Sequence, residues 1–377
     1  MKVLTILNSA SIGGIEKTLL SCLKNMPQTK VDMTILCFQR GGVLEKDFKE
    51  LGVNFLYIKK TGIIILDMIQ LCFLLLKHKF DIVHSRFGFT SGGFVLASRL
   101  TNTKVYVSLH STHPSTFKAL KRKKILYELL SFHLKIHKYI TKTLATKIIG
   151  HSKSNLDNNY PRWNSSTKYE LLYNGVDFDE LENDLERNDN LDIFIKDEDF
   201  VILHIGSFRK PKNHLFLIDC FNSLDPKTNN YKLILVGQGG LVNVVKEKVS
   251  QMGISDCCFF AGFDKKINKY FNKSHLFFFP SLNEGLANVL IEAQYKKLPI
   301  CASDIPPIYE SGYKGYHQYY FDFHDKKVAV ENLNKIIEDI KKGYLKNTII
   351  EAKKYAITNF SIQSMVQSLL KLYDERL

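Results

Sequence analysis

Two glutamates, Glu284 and Glu292, stand with seven residues between them where the chain passes from an apolar segment into a helical pattern. The apolar run His275–Phe279 is typical of a buried strand, and the apolar spacing that starts at Ala287 predicts a helix. Glu284 is therefore expected in the turn, and Glu292 about two helical turns further, roughly 12 Å along the axis. Carboxylates this far apart do not serve as an acid–base pair on one bond.

The two carboxylates instead suit an extended ligand with two separate hydroxyl-bearing parts. The first amides of the helix, with the positive end of its dipole, suit a phosphate placed between those parts. A sugar, a phosphate and a second sugar, in that order, describe a nucleotide-sugar. The spacing alone also fits a surface helix with two solvated glutamates, because such gaps are common by chance.

The residues around the first glutamate make the pattern specific, since Pro280–Ser281 precede it and Gly285–Ala287 follow it. The stretch resembles the Glu–seven residues–Glu motif of retaining GT-B glycosyltransferases, in particular the bacterial family 4, group 1 enzymes of capsule, exopolysaccharide and lipopolysaccharide synthesis. The resemblance implies that Glu284 contacts the donor hexose and has a catalytic role, and that Glu292 contacts the nucleotide ribose. The donor-binding residues implied on this segment are Glu284, Gly285, Leu286, Ala287 and Glu292.

A basic loop, Gly206–Lys212, follows another apolar run. An arginine fork and a lysine point charge at the start of a helix suit a diphosphate. The family has Arg directly after this glycine and Lys five residues later, so Lys212 matches, whereas Ser207 replaces the arginine and Arg209 lies two residues further on. We expect Arg209 and Lys212 to bind the diphosphate. Without the resemblance, basic residues in a turn are more often solvated.

Two further candidates follow predicted strands in the first half of the chain. Gly13 and Gly14 precede a helix and resemble the family's Gly-Gly-x-Glu loop, which implies contact with the donor phosphate and the acceptor; the alternative is an ordinary turn. His110 ends the run Val105–Leu109, and a residue at the carboxyl end of a parallel strand points towards the ligand crevice. The resemblance implies that His110 approaches the transferred sugar and is catalytic.

His84 also matches a family position, and Arg86 stands near it where the family often has another histidine. A buried structural histidine explains His84 equally well. His113 is a weaker candidate for the same crevice.

The fold class predicted is α/β, because short apolar runs alternate with helical patterns in both halves. The resemblance implies the GT-B arrangement of two Rossmann-like domains that face a central cleft. Residues 1–175 would bind the acceptor and 176–360 the nucleotide-sugar, with 177–199 as an acidic linker and a helix at 361–377 crossing back to the first domain.

The charge balance is strongly basic, with 52 Lys and Arg against 38 Asp and Glu and a net charge of +14. Much of the excess lies in 117–147, which is expected to form an amphipathic helical region whose apolar residues (Ile125, Leu129, Phe132, Ile136 and Tyr139) face the core. Its basic face suits anionic lipid headgroups or a diphosphate-linked acceptor, and the alternative is a solvated face over a buried stripe. The apolar segment 63–76 is too short to span a bilayer and is expected to be a core-facing helix. No nucleic-acid-binding motif is present, so nucleic acid is not an expected partner.

The expected location is the cytoplasm, peripherally at the inner face of the plasma membrane, because seven scattered cysteines suit a reducing compartment. We expect a retaining hexosyltransferase that uses a nucleotide-sugar, a UDP-sugar being favoured, and a lipid-linked or polysaccharide acceptor. Neither a cofactor nor a metal is expected, since Arg209 and Lys212 neutralise the diphosphate and Asp177-Phe178-Asp179 does not follow a strand. The alternatives are a nucleotide-sugar epimerase on the same fold and a catalytically silent partner subunit.

Overall fold

The structure is a computed structural model that describes residues 1–11, 13–27, 30–110, 124–182 and 188–374, with the side chains of 124–127 left out. The chain divides into two compact units. Unit 1 consists of Met1–Gly175 together with Ile362–Leu377, and unit 2 is Val176–Ser361.

Unit 1 contains a parallel sheet in which the strand order is β3-β2-β1-β4-β5-β6-β7. The strands are β1 (Lys2–Leu7), β2 (Asp32–Cys37), β3 (Asn54–Tyr57), β4 (Ile82–Ser85), β5 (Lys104–Leu109), β6 (Lys147–Gly150) and β7 (Tyr169–Leu171). The helices before unit 2 are α1 (Gly14–Lys24), α2 (Glu45–Glu50), α3 (Ile64–His78), α4 (Gly92–Leu100), α5 (Lys124–Leu144) and α6 (Lys153–Asn159).

Unit 2 repeats this order with a second parallel sheet, β10-β9-β8-β11-β12-β13. The strands are β8 (Phe200–Ile205), β9 (Tyr231–Val236), β10 (Cys258–Gly262), β11 (Leu276–Phe279), β12 (Ile300–Ser303) and β13 (Tyr320–Phe321). The helices are α7 (Phe178–Glu182), α8 (Asp189–Phe194), α9 (His214–Asn222), α10 (Val242–Gln251), α11 (Asn268–Asn272), α12 (Asn288–Tyr295), α13 (Pro306–Ser311), α14 (Lys326–Lys341) and α15 (Lys346–Phe360).

The strand order of each sheet reverses once, between β1 and β4 in unit 1 and between β8 and β11 in unit 2. At such a point the connections leave the sheet in opposite directions, which opens a crevice at the carboxyl ends of the two strands. Residues that directly follow β1, β4, β8 and β11 are therefore placed for ligand binding.

The last described helix, α16 (Ile362–Asp374), packs into unit 1, as predicted for a helix that crosses back. Met365 and Leu369 are buried in the same apolar cluster as Val3 of β1. Gly175 permits this contact, because a Cβ there would lie 2.6 Å from the Cα of Ile362. This packing makes α16 part of unit 1.

The acidic stretch 177–199, expected as a linker, contains α7 and α8 in its described part. The Phe178 ring stacks on Tyr295 with 4.2 Å between centroids, and Leu191 is 1% exposed. Lys296 donates to Glu182 at 3.1 Å. These contacts attach the stretch to unit 2. A few buried apolar residues and one ion pair hold it on the surface of that unit.

The described apolar residues of α5 that were expected to face the core are exposed, so that expectation is wrong. Leu129 and Phe132 are each 63% exposed and Tyr139 is 69% exposed. The inward face of α5 instead carries His137, whose Nδ1 accepts a hydrogen bond from the Gly92 amide at 2.9 Å, together with Ile140 and Leu144, which pack against the core. A Cβ on Gly92 would lie 2.7 Å from the same nitrogen, so the glycine lets α4 and α5 approach closely.

The core-facing prediction for α3 holds for one side of the helix alone. Leu71 and Leu75 are buried, whereas Ile65, Phe73 and Leu76 are 61%, 70% and 67% exposed. A helix that is apolar all round presents one stripe to the sheet and leaves the opposite stripe outside.

Candidate active site

The candidate site of unit 2 lies where β8 and β11 end, at the reversal of strand order. Lys212, from the loop after β8, places its Nζ 2.6 Å from Oε1 of Glu284, from the loop after β11. Both side chains are mostly buried, with 19% and 10% exposure. The Lys212 ammonium also lies 4.7 Å from the centre of the Phe279 ring, a cation–π contact. The fold thus brings the predicted diphosphate cation and the predicted sugar-binding carboxylate into direct contact.

Backbone contacts hold these loops in place. The Leu282 amide donates to the Pro211 carbonyl at 2.8 Å, which ties the loop after β11 to the loop after β8. The loop after β9 packs closely on the loop after β8: Gly237 has φ +142°, and a Cβ there would lie 2.1 Å from the Gly206 carbonyl oxygen. Glycine is therefore required at that position. Sequence reasoning missed this support, although Gly237-Gln238-Gly239-Gly240 directly after a strand was the signal for it.

Arg209 is exposed, and its side chain forms no hydrogen bond or ion pair with the part of the chain that the structure describes. It caps a short 3-10 helix, Lys210–Lys212, and so precedes Lys212 by one tight turn. Ser207 is half-buried at the family's arginine position. The arrangement leaves the Arg209 guanidinium available to a ligand.

The segment from Glu284 to Glu292 combines an irregular turn with a short helix. Gly285 and Leu286 lie in the turn, Ala287 is the residue before the first helical one, and α12 begins at Asn288. Glu292 is half-buried and lies one turn inside the helix rather than two.

Two polar atoms of this segment were not predicted as ligand contacts. The Ser281 Oγ and the Asn288 Oδ1 are buried without a hydrogen-bond partner among the described residues. Buried polar groups normally have partners, so these two atoms are further candidates for contact with a ligand.

Unit 1 contains a cavity of about 300 Å³ at the reversal between β1 and β4. Its lining includes Asn8, Glu16, Arg86, Phe87, Phe89 and His110. Gly13 precedes α1 and Gly14 is its first residue. A Cβ on Gly13 would lie 2.3 Å from Oε2 of Glu16, so the glycine lets this carboxylate fold back over the start of the helix. Burial raises the pKa of Glu16, and the nearby Arg86 lowers it in part.

His110 follows β5 directly and lines this cavity. Its ring stacks on His151 with 4.3 Å between centroids, and its Nε2 is buried without a partner among the described residues. Burial and the neighbouring His151 and Arg86 hold the pKa of His110 well below its usual value. A neutral imidazole is therefore present at pH 7, which suits a hydrogen bond to a sugar but not a cationic role.

His84 is a core residue. Its Nδ1 lies 2.6 Å from the Tyr373 hydroxyl and its Nε2 lies 2.8 Å from the Ser108 hydroxyl. Both ring nitrogens are thus satisfied inside unit 1. His113 lies outside the described residues. Asp177 accepts a hydrogen bond from the Glu180 amide at the start of α7, and the described residues contain no group of three or more His, Cys, Asp or Glu arranged to hold a metal ion.

Two family models together match most of the chain. Residues 12–180 match the model described as Glycosyltransferase Family 4, and residues 187–355 match the model described as Glycosyl transferases group 1. Each match covers one of the two halves that the candidate site residues occupy.

Named relatives extend this similarity over the chain. The Staphylococcus aureus capsular polysaccharide biosynthesis glycosyltransferase CapH is 25% identical over 99% of this chain and 98% of its own length. The Escherichia coli UDP-Gal:alpha-D-GlcNAc-diphosphoundecaprenol alpha-1,3-galactosyltransferase is 25% identical over 78% of this chain and 77% of its own length.

A solved structure shares the fold. The Anabaena protein HepE, in a crystal structure with UDP and glucose, is 17% identical, covers 100% of both chains and has a TM-score of 0.81. The two parallel sheets and this likeness confirm the predicted α/β, GT-B fold class. The chain belongs to the group 1 glycosyltransferases of family 4.

Proposed function

We propose that this glycosyltransferase moves a hexose from a nucleotide-sugar, favouring a UDP-sugar, to a lipid-linked or surface-polysaccharide acceptor, with retention of configuration and without a metal. The observation that carries the proposal is the contact between Lys212 and Glu284 at 2.6 Å. In a nucleotide-sugar the diphosphate and the hexose are joined directly. A cation and a carboxylate side by side match that one linkage.

Relatives support the choice of donor and acceptor. The name of the Escherichia coli relative specifies UDP-Gal and a diphosphoundecaprenol-linked sugar, and the solved HepE structure contains UDP and glucose. CapH is named for capsular polysaccharide biosynthesis. The same classes of donor and acceptor are proposed here.

The proposed reaction proceeds on one face of the sugar. The acceptor hydroxyl attacks the anomeric carbon from the side on which the diphosphate departs, and the departing phosphate takes up the hydroxyl proton. Lys212, Arg209 and the amides around Gly14 and Gly285–Ala287 stabilise the charge that develops on the leaving group. Glu284 binds the hexose; a carboxylate held by the Lys212 ammonium is a poor nucleophile. His110 supplies a neutral hydrogen-bonding group to the sugar.

The test is incubation of the purified protein with a panel of nucleotide-sugars, with and without acceptor, followed by NMR. Release of nucleoside diphosphate and a product with the donor's anomeric configuration are expected. The matched variants are Lys212→Met, which should lose turnover, and Lys210→Met in the same loop, which should keep it. A new free nucleotide-sugar formed without acceptor would instead establish the epimerase, and no hydrolysis of any donor would establish the silent subunit.

The location proposed is the cytoplasmic face of the plasma membrane. None of the helices in the described ranges is both long and apolar enough to cross a membrane. Helices α3 and α5 both pack against α4 and contribute to one apolar cluster, so they cover the same face of the unit 1 sheet. Their outward stripes expose Phe73, Leu76, Leu129 and Phe132.

Lysines accompany this apolar face, which favours an anionic bilayer as the partner. Lys135 and Lys142 of α5 are exposed next to the stripe in sequence. Burying a large apolar side chain contributes roughly 1.5–3 kcal/mol, and each lysine near an anionic surface about 1 kcal/mol. Apolar burial and electrostatic attraction of this size together support reversible docking. The basic residues Lys121–Lys124 of the same region lie outside the described side chains.

Co-sedimentation with phosphatidylcholine vesicles that contain phosphatidylglycerol tests the docking. Binding should increase with the anionic fraction and decrease with salt. The variants Phe73→Ser with Leu76→Ser, and Lys135→Glu with Lys142→Glu, should each weaken it, whereas Ile193→Ser, an exposed apolar residue of unit 2, should not. A dimer in solution that the apolar variants dissociate, combined with no vesicle binding, would show that a second copy covers this face.

A further inference from the structure

Arg86 is a buried cation that has no partner among the described residues. It follows β4 directly, is 6% exposed, and its Nε is buried with no hydrogen-bond partner in the described part of the chain. The guanidinium forms no ion pair or hydrogen bond with any residue in the described ranges. A guanidinium has five donors and keeps its charge, so its burial without an anion is costly.

The groups around Arg86 do not neutralise it. The Tyr373 hydroxyl forms a hydrogen bond with His84 Nδ1 at 2.6 Å, and burial raises the pKa of Tyr373. Burial also raises the pKa of the Cys22 thiol to about 11. Both groups are therefore uncharged at pH 7. Glu16 is near enough to affect Arg86 electrostatically, but the two side chains do not form an ion pair.

The space next to Arg86 is suited to a ligand. Arg86, Glu16 and His110 line the same cavity of about 300 Å³, a volume at the small end of the range for small-molecule sites. The His110 Nε2 is a second buried polar atom without a partner in this cavity. Phe87 and Phe89 add apolar rings to its wall. Polar groups that converge on an aromatic-lined cavity suit a sugar, and the guanidinium suits an oxyanion.

We propose that Arg86 binds an oxyanion carried by the acceptor, a carboxylate or a phosphoryl group attached to the accepting sugar, so that the enzyme selects an anionic acceptor. The inference rests on the proposed function, because it assigns the unit 1 cavity to the acceptor. Arg86 is a specificity-determining residue for that substrate. Beside it, Glu16 and the neutral ring of His110 form hydrogen bonds with the sugar hydroxyls.

The test measures binding to the full chain by calorimetry, with UDP present at saturation so that Lys212 and Arg209 are occupied. The probes are glucose 1-phosphate, methyl glucuronide and, as the neutral control, methyl glucoside. Both anions should bind the wild type about 10- to 100-fold more tightly than the neutral glycoside, the range of a charged hydrogen bond. The tighter of the two anions identifies the phosphoryl or the carboxylate as the group recognised.

Three variants separate binding from folding. Arg86→Met should abolish the preference for anions, keep UDP affinity and keep or raise the thermal midpoint, because an unpaired buried charge is removed. Arg86→Lys should retain part of the preference, and Arg162→Met, an exposed arginine of unit 1, should retain all of it. Equal binding of the neutral glycoside by the wild type, or a loss of UDP affinity in Arg86→Met, would overturn the proposal.

Donor hydrolysis is measured on the same preparations. Its absence would contradict the transferase while leaving the anion measurements valid. A lower midpoint in Arg86→Met with an unchanged anion preference would show that Arg86 is structural.

Discussion

Replacing Glu284 by glutamine should tighten UDP binding while it abolishes sugar transfer. In the native protein the Lys212 ammonium is held by the Glu284 carboxylate at 2.6 Å. A diphosphate that binds Lys212 competes with that carboxylate. The amide of Glu284→Gln has the same shape but no charge, so it holds Lys212 less strongly and leaves it more available to the phosphates.

The size of the effect follows from the two kinds of hydrogen bond. A bond between charged groups is worth roughly 1.5–3 kcal/mol and a neutral bond roughly 0.5–1.5 kcal/mol. The difference of about 1–1.5 kcal/mol corresponds to UDP binding that is tighter by about 5- to 10-fold. Unfolding should become easier by about 1–2 kcal/mol, less than for a fully buried pair because both side chains keep some contact with water.

Calorimetry with UDP, paired with thermal unfolding and donor turnover, measures the three effects. Lys212→Met is the opposite perturbation and should weaken UDP binding by about 10- to 100-fold, since the charged contact is lost. If Glu284→Gln weakens UDP binding as much as Lys212→Met does, the carboxylate supports the diphosphate site and the competition argument is wrong.

Four further outcomes are expected. Glu292→Ala should weaken UDP binding by roughly 1.5–3 kcal/mol in calorimetry, because a ribose contact is lost; unchanged affinity would remove Glu292 from the donor site. Arg209→Ala should reduce UDP affinity about as much as Lys212→Ala; unchanged UDP affinity in Arg209→Ala would show that Lys212, and not Arg209, binds the diphosphate. Turnover should survive EDTA, and a loss that magnesium or manganese restores would show that a metal is needed. Burial lowers the pKa of His151 from 6.5 to about 3. The neutral ring therefore stabilises the fold above pH 6.5, and about 2 kcal/mol of that stability is lost by pH 5 as the unfolded chain takes up the proton. In urea unfolding, His151→Gln should lose less stability between pH 6.5 and pH 5 than the wild type. An equal loss in both proteins would show that His151 does not cause it.

The longer strands were predictable because each is a short apolar run, and local motifs identify the residues that follow them. The apolar run Val105–Leu109, for example, lies in β5, which ends at Leu109 as the run does. Errors fell on elements with weak local signals. The short helices α2 and α6, and the two-residue strand β13, were not predicted, because their placement depends on the neighbours that they cover.

The side that each helix turns towards the core could not be predicted from the sequence either, because it also depends on the neighbouring elements. The apolar residues Leu129 and Phe132 of α5 lie outside although their spacing is that of a buried stripe. A pattern shows that a helix has an apolar side, but tertiary contacts, such as that of His137 with Gly92, decide which side meets the protein.

The sequence by itself determined the fold class, the candidate carboxylates and cations, and the excess of positive charge, because strand periodicity and motif chemistry are local properties. Only the tertiary structure decided which of these groups meet. Lys212 and Glu284 are 72 positions apart and touch because β8 and β11 are neighbours in the sheet. Arg86 is buried without an ion pair to any described residue for a similar reason, since β4 ends beside β1 and Arg86 follows it into the cavity lining. Contacts of this kind follow from strand order, which no short stretch of sequence contains.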